Sequence, residues 1–477
     1  MAKRAADRLD GDRERSHNQA ASMKKGIFLV LLIMVLLATA CGATPTPVPV
    51  VQTTQASATG SAKPVEVTWL VRSSNAEQDW ENKDAIPGFE AQNPNIKINL
   101  VAVPSNDFDT KMQAMIAGGT PPDIWSQWGV SGFADYVKLA LVADLTPYIE
   151  NDKVDLSDFI PDLLSIYQVN GKQMGLPFSV VGSGIFYDKD LLDKYGVTYP
   201  PTSWDDTSWT YAKFLDMCKA LTHVTGDPLT DVYGCNMGFS LNDSYAWMYG
   251  KDIYPDSAYL TGYADTAYLD DPLIIQAFQD RQDIVWKYHY MPDPATATAF
   301  GKGDLFQMQK VAVQIRDGWG WVQYSSVKDF NWAVGALPYG APGRFSPTFT
   351  DPWMMSSKSS HPQAAWEFLK YLISPDVQKS WSRVTFSPPV RKSLLEDWYK
   401  SFSGMPPDQV KEVFEGSIKY GKESPSHLLV HFDQLNQVVS EALDPIFNKK
   451  TTAVETLPAV NQKLIEALQE IRSENQK

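Results

Sequence analysis

Residues 65–125 alternate between strand and helix periods, and that alternation limits the fold more than any other feature of the chain. "VEVTWLV" (65–71) is a β-rich run. A helical stretch carrying Trp80 and Phe89 follows and stops at "NPN". "IKINLVAVP" alternates as a second strand. In "FDTKMQAMIAGG", Phe108, Met112, Met115 and Ile116 share one helical face, and Gly118 and Gly119 end the helix. "DIW" (123–125) is the third strand. Strands separated by helices pair in parallel and carry the helices on the faces of the sheet. The expected class is therefore α/β, with mostly parallel sheets flanked by helices. Ligands of such sheets bind beyond the C-terminal ends of the strands. "TPPDIWSQWG" places Trp125 and Trp128 there, although one of the two rings also suits the core.

The N-terminal region predicts export. "MKKGIFLVLLIMVLLATAC" has Lys24 and Lys25 before an uncharged apolar run, 26–40, and then Cys41. The run is shorter than the roughly 20 residues a membrane helix needs, and it has the order of an export signal. Residues 1–22 are polar and unlike a signal, so Met23 is the expected start. "LATAC" resembles a bacterial lipobox, which implies a lipid on Cys41 and an extracytoplasmic, membrane-anchored protein. The Pro/Thr/Ser-rich segment 42–64 reads as a tether. Cys218 and Cys235 remain; outside the cytoplasm they can bond to each other, or they are two buried thiols.

Charge and motifs narrow the function. A net charge of −14 with no basic stripe argues against nucleic acid as a partner. There is no GxxxxGK[ST], no GxGxxG after a strand, no HExxH and no GxSxG, so neither an enzyme nor a cofactor is expected. His427 and His431 in "HLLVH" read as a helix-surface pair, and no metal site is expected. Aromatics make up 12% of the chain, with 15 Trp, more than core packing usually needs; that excess favours a ligand surface built from rings.

The rest of the chain has a recognisable order. "KVAVQIRDGWGW" is a strand ending at an aromatic turn, and Trp332 in "FNWAV" alternates inward. Leu457, Val460, Leu464, Leu468 and Ile471 form the stripe of a packed terminal helix. With the lipobox, "NPNIKINLVAVPSNDFDTKMQAMIAGGTPPDIW", "GLPFSVVGSGIFYDKDLL", "GVTYPPTSWDD", "GWGWVQ", "ALPYG" and "HPQAAWEFLKYLISPDVQKSW" follow in sequence. No one motif is very specific, but the ordered set, over about residues 65–477, resembles the extracellular solute-binding lipoproteins of carbohydrate importers, of the maltose and multiple-sugar type.

The resemblance implies a two-lobed periplasmic-binding-protein-like fold with the ligand cleft between the lobes. It places one lobe at 65–179 plus 338–385 and the other at 180–337 plus 386–477, with crossings near Pro177–Gly184, Leu337–Gly340 and Ser387–Pro389. It implies a monomer that takes a small carbohydrate and presents it to the membrane permease of an ATP-driven transporter. Trp319 corresponds to the aromatic that stacks on the ligand, and flanking Gly318 and Gly320 would leave it room. Asp317 stands where the family usually has a small residue; it and Arg316 are ligand candidates unless they pair with each other. "NDSYAW" resembles the second-lobe wall, making Tyr245 and Trp247 candidates beside the core alternative. Asp351 and Trp353, in "FTDPWMM", lie on the strand re-entering the first lobe. A surface enzyme acting on polysaccharide, or a ligand-sensing lipoprotein of the same fold, remains the alternative.

Overall fold

The computed structural model describes residues 63–474, apart from 73, 129–131 and 341–342. The export signal, Cys41 and nearly all of the tether lie outside the described residues. Residues 62–477 form one compact unit.

The alternation at the start of this unit folds as its periods predict. β1 (Val65–Arg72) pairs in parallel with β2 (Ile96–Val103) and with β3 (Ile124–Trp125). The helix Phe108–Ala117 lies between β2 and β3 and buries Phe108 and Met112. The sheet is then extended by strands from far along the chain. β4 (Leu176–Gly182) pairs antiparallel with β9 (Ser346–Met355), which also pairs antiparallel with β3 at its far end. β10 (Gly421–Glu423) adds to β9 in parallel.

A second sheet of four strands has the order β8 (Trp332–Gly335), β5 (Gly184–Asp188), β7 (Val311–Arg316), β6 (Tyr233–Gly238). Only β6 and β7 are parallel; β5 runs against both its neighbours. Each sheet is thus mixed. β5, entering from the first sheet, runs against β7 and β8, and β9, entering from the second, runs against β3 and β4.

One residue, Ser183, separates β4 in the first sheet from β5 in the second. Its backbone N–H and hydroxyl both donate to the Pro347 carbonyl, at 3.1 and 2.9 Å. Small residues are needed here because backbones meet. A Cβ on Gly182 would stand 2.2 Å from the Ser417 hydroxyl, and one on Gly318 would stand 2.5 Å from the Gly182 carbonyl.

The aromatic excess is spent mainly on the core, which corrects the sequence expectation. Every tryptophan is buried except Trp128, Trp286 and Trp319. Around the first sheet, Trp69 contacts Trp80, Trp353 and Phe368 edge-on, at 5.0 to 6.2 Å between ring centres. Around the second, Trp321 meets Phe186, Trp398 and Phe402. Trp332 is buried, as its alternation predicts. The terminal helix Ala453–Glu474 buries Leu457, Val460, Leu464, Leu468 and Ile471. Cys218, on the helix Tyr211–Leu221, and Cys235, on β6, form a disulfide with Cα atoms 5.4 Å apart.

The two histidines do not share a helix. His427 belongs to the short helix Pro425–Leu428, and His431 caps the next helix with a left-handed φ of 54°. His427 is buried with Nδ1 2.6 Å from Glu423 Oε1, whereas His431 Nε2 lies 2.8 Å from Lys138 Nζ. Among the described residues, no helix is long and apolar enough to cross a membrane.

Candidate functional site

A cavity of about 470 Å³ opens where the C-terminal ends of strands from both sheets face each other. From the first sheet it is lined by Arg72 at the end of β1, by Ser105, Asn106 and Asp109 after β2, and by Gln127 and Trp128 after β3. From the second come Ser240 and Leu241 after β6 and Trp319 after β7. Phe349 and Asp351 of β9, with Ser426 and His427, complete it. This is the position the α/β rule assigns to a ligand.

Each wall residue is held from behind. Trp128 rests edge-on against Phe108 and Trp353, at 5.5 and 5.8 Å between ring centres. Gln127 donates to the Tyr167 hydroxyl at 2.8 Å and to the Thr350 carbonyl at 3.2 Å, and accepts from the Phe133 N–H at 2.8 Å. Trp319 opens a helical turn, Trp319–Tyr324, and leans on Phe349 at 6.2 Å.

Arg72 joins the two tryptophans. Its guanidinium carbon is 5.2 Å from the Trp128 ring centre and 5.1 Å from that of Trp319, within cation–π range of both. Glu77 grips it from behind: Nε is 3.0 Å from both carboxylate oxygens and Nη2 is 2.6 Å from Oε1. Ser74, which caps the helix Asn75–Trp80, donates to Glu77 at 2.7 Å and so fixes that carboxylate. Burial works against the Arg72 charge, but Glu77, Asp351 and Glu81 outweigh it and raise its pKa. The Glu81 carboxyl is pushed up to about 8, by burial first and by Glu77 second.

Asp351 is 3% exposed. Burial pushes it up to about 7, against the pull of Arg72 and His427. His427 is oriented by Glu423, whose carboxylate also accepts from the Thr350 N–H at 3.0 Å and hydroxyl at 2.7 Å.

Of the residues the sequence singled out, the structure brings Trp128, Trp319 and Asp351 to this cavity and leaves the others elsewhere. Trp125 is fully buried on β3, edge-on to Tyr136. Trp353 stacks on Phe178 at 4.2 Å and is covered by Trp128. Tyr245 is buried, donates to the Met237 carbonyl and packs on Phe239 and Phe447; Trp247, one turn-side away on the same short helix, is 1% exposed. Arg316 is drawn sideways to Asp304, Gln323 and Tyr324 rather than to Asp317. Asp317 is 1% exposed and accepts from the Ser240 N–H at 2.6 Å and the Ser183 hydroxyl at 3.5 Å, so it ties a cavity loop to the crossing. Gly318 and Gly320 do not make room for a ligand. They are required by packing, since a Cβ on Gly320 would lie 2.4 Å from the Phe186 ring.

Sequence reasoning passed over Arg72, Gln127 and Phe349, and read His427 as a helix-surface residue rather than a wall residue. Arg72 carried a usable signal: a charge at the C-terminal end of a buried strand, the rule already applied to Trp125. His427 carried none, because its partner Glu423 comes from a strand three residues long.

The model of the bacterial extracellular solute-binding protein family matches residues 73–379. A binding protein of Brucella abortus is 27% identical over 352 residues, covering 71% of this chain and 80% of that protein. An ABC substrate-binding protein of Listeria monocytogenes, solved with cycloalternan, superposes with a TM-score of 0.71 at 22% identity over 85% of this chain and 99% of that one. A maltose-bound binding protein of T. maritima gives 0.68 at 20% identity over 84% and 99%. The two sheets, the strands passing between them and the cavity at their facing strand ends are those of a two-lobed periplasmic-binding-protein-like fold, and the match over most of the folded unit makes this chain a member of the bacterial extracellular solute-binding protein family.

Proposed function

We propose that this protein is a lipid-anchored extracytoplasmic receptor that captures a carbohydrate between two lobes and delivers it to the permease of an ABC transporter. The observation that carries this reading is the placement of Trp128 and Trp319. They are the tryptophans left half-buried beside the cavity, and each comes from a different sheet. Sugars have apolar CH faces, which indoles cover, and a rim of hydroxyls, which Arg72, Gln127, Asp351 and His427 can meet. The cycloalternan and maltose bound by similar proteins support the same class. The lobes are taken as 65–179 plus 338–385 and 180–337 plus 386–477, with hinges at Pro177–Gly184, Leu337–Gly340 and Ser387–Pro389. The protein works as a monomer.

A thermal-shift screen across mono- and oligosaccharides tests the ligand class, because a ligand bound only by the folded state raises the melting temperature. A hit is expected to shrink the radius of gyration at saturation, since a ligand moves an open–closed equilibrium only by favouring the closed form. A screen in which no sugar stabilises the protein would remove the carbohydrate reading. Anchoring is tested separately. Cys41→Ser is expected to release the protein from membranes with ligand affinity unchanged, because the tether separates Cys41 from the folded unit. Detection of unmodified Cys41 in the mature, membrane-bound protein would sink the lipid anchor.

A further inference from the structure

The charges on the cavity wall do not cancel. Arg72 is matched by Glu77, which holds it through three contacts of 3.0 Å or less. Asp317 is satisfied by the Ser240 N–H and the Ser183 hydroxyl and sits behind the wall. Glu423 is occupied by His427 and Thr350. Asp351 feels the pull of Arg72 through space but, among the described residues, no donor reaches its carboxylate. It lines the cavity and is 3% exposed. A buried carboxylate without donors is costly, and a donor entering the cavity would complete this one.

His427 is a second, independent group of the same kind. It is 4% exposed and lines the cavity. Glu423 holds its Nδ1, which assigns the proton of the neutral ring to that nitrogen and leaves Nε2 as an acceptor. Among the described residues, Nε2 makes no hydrogen bond of its own. Asp351 and His427 are therefore both acceptors, whereas Trp128 Nε1, also without a partner among the described residues, is a donor. A hydroxyl brings one donor and its own lone pairs; an ammonium brings three donors, no lone pair and a positive charge that adds to the pull of Arg72 on Asp351. Trp128 and Trp319 add aromatic faces that tolerate a cation, as their contact with Arg72 shows.

We propose that the solute is an amino sugar, whose protonated amine is held by Asp351 and His427. This rests on the reading of the protein as a sugar receptor, and names the class of sugar. The groups facing Asp351 are Arg72, His427, Glu423 and Glu77. Its carboxyl titrates near 7, so lowering the pH from 7 to 5.5 protonates it and removes the charge that attracts the amine.

The test is calorimetric titration of the full chain at pH 7 with matched sugars: glucosamine, N-acetylglucosamine and glucose, and the β-1,4-linked disaccharide of each. The amine forms are expected to bind about 10- to 100-fold tighter than their neutral partners, the range of a charge-assisted hydrogen bond. That preference is expected to shrink at pH 5.5 and to vanish in Asp351→Asn. Should Asp351→Asn fail a melting check, His427→Gln is read instead and is expected to lose part of the preference. A neutral sugar bound as well as its amine counterpart overturns the amino-sugar assignment and leaves the sugar-receptor reading standing. An amine preference that survives Asp351→Asn overturns it too. If no sugar of any kind binds, both fall.

Discussion

Replacing Trp353 by alanine is expected to lower the unfolding free energy by about 3 to 5 kcal/mol, with the folded fraction that remains still binding ligand. Trp353 is 2% exposed and is met by three other aromatic rings. Phe178 stacks on it at 4.2 Å with planes 13° apart, Phe178 being the residue on β4 that the irregularity in β4–β9 pairing skips. Trp69 and Trp128 meet it edge-on at 5.4 and 5.8 Å. An indole in such a place buries roughly 150 to 250 Å², and its truncation leaves a cavity that strands β4 and β9 cannot close without breaking their own pairing. The denaturation midpoint reads the loss. Because Trp128 leans on Trp353, some weakening of ligand affinity accompanies it, but stability is expected to change far more. A variant of normal stability and much weaker binding would move Trp353 from the core to the ligand wall.

The contrast between Trp353 and its neighbour Asp351 shows where sequence reading stops. Both were expected at the cleft because both lie on the re-entering strand. That strand runs from the core past the cavity wall, and sequence alone does not say where Phe178 and Trp128 cover it. The strands, the helices between them and the terminal helix stripe were legible because a period of 2 or 3.6 is a local signal. Trp125 and Trp128 were both placed at a strand end, yet one more residue of β3 keeps Trp125 inside and lets Trp128 out. Arg316 was legible as a charge at a strand end and still lies outside the cavity, because Asp304 and Tyr324 draw it away. His427 reaches the wall, and Glu423 holds it there, from the last quarter of the chain, a placement that depends on tertiary pairing of β10 with β9.

Trp319 and Trp321 stand two residues apart and should respond oppositely. Trp319 is half-buried, lines the cavity, and touches Arg72 and Phe349. Trp321 is 1% exposed and packed among Phe186, Trp398 and Phe402. If a sugar face covers roughly 100 Å² of the Trp319 indole, removal of that surface costs about 2.5 kcal/mol of binding before ordering terms. Trp319→Ala is therefore expected to weaken ligand binding by about 30- to 150-fold. Its cost to stability is expected to be small, on the order of the 0.5 to 1 kcal/mol of one exposed cation–π contact. Trp319→Phe retains part of the affinity, since a smaller ring still covers one apolar face. Trp321→Ala is expected to reverse the pattern, destabilising by about 3 to 5 kcal/mol while the folded protein binds nearly as before. Calorimetric titration beside a denaturant melt separates the two effects in each variant. Near-normal affinity in Trp319→Ala would take the second-sheet aromatic wall away from the ligand and leave Trp128 and the polar groups around Asp351 to hold it.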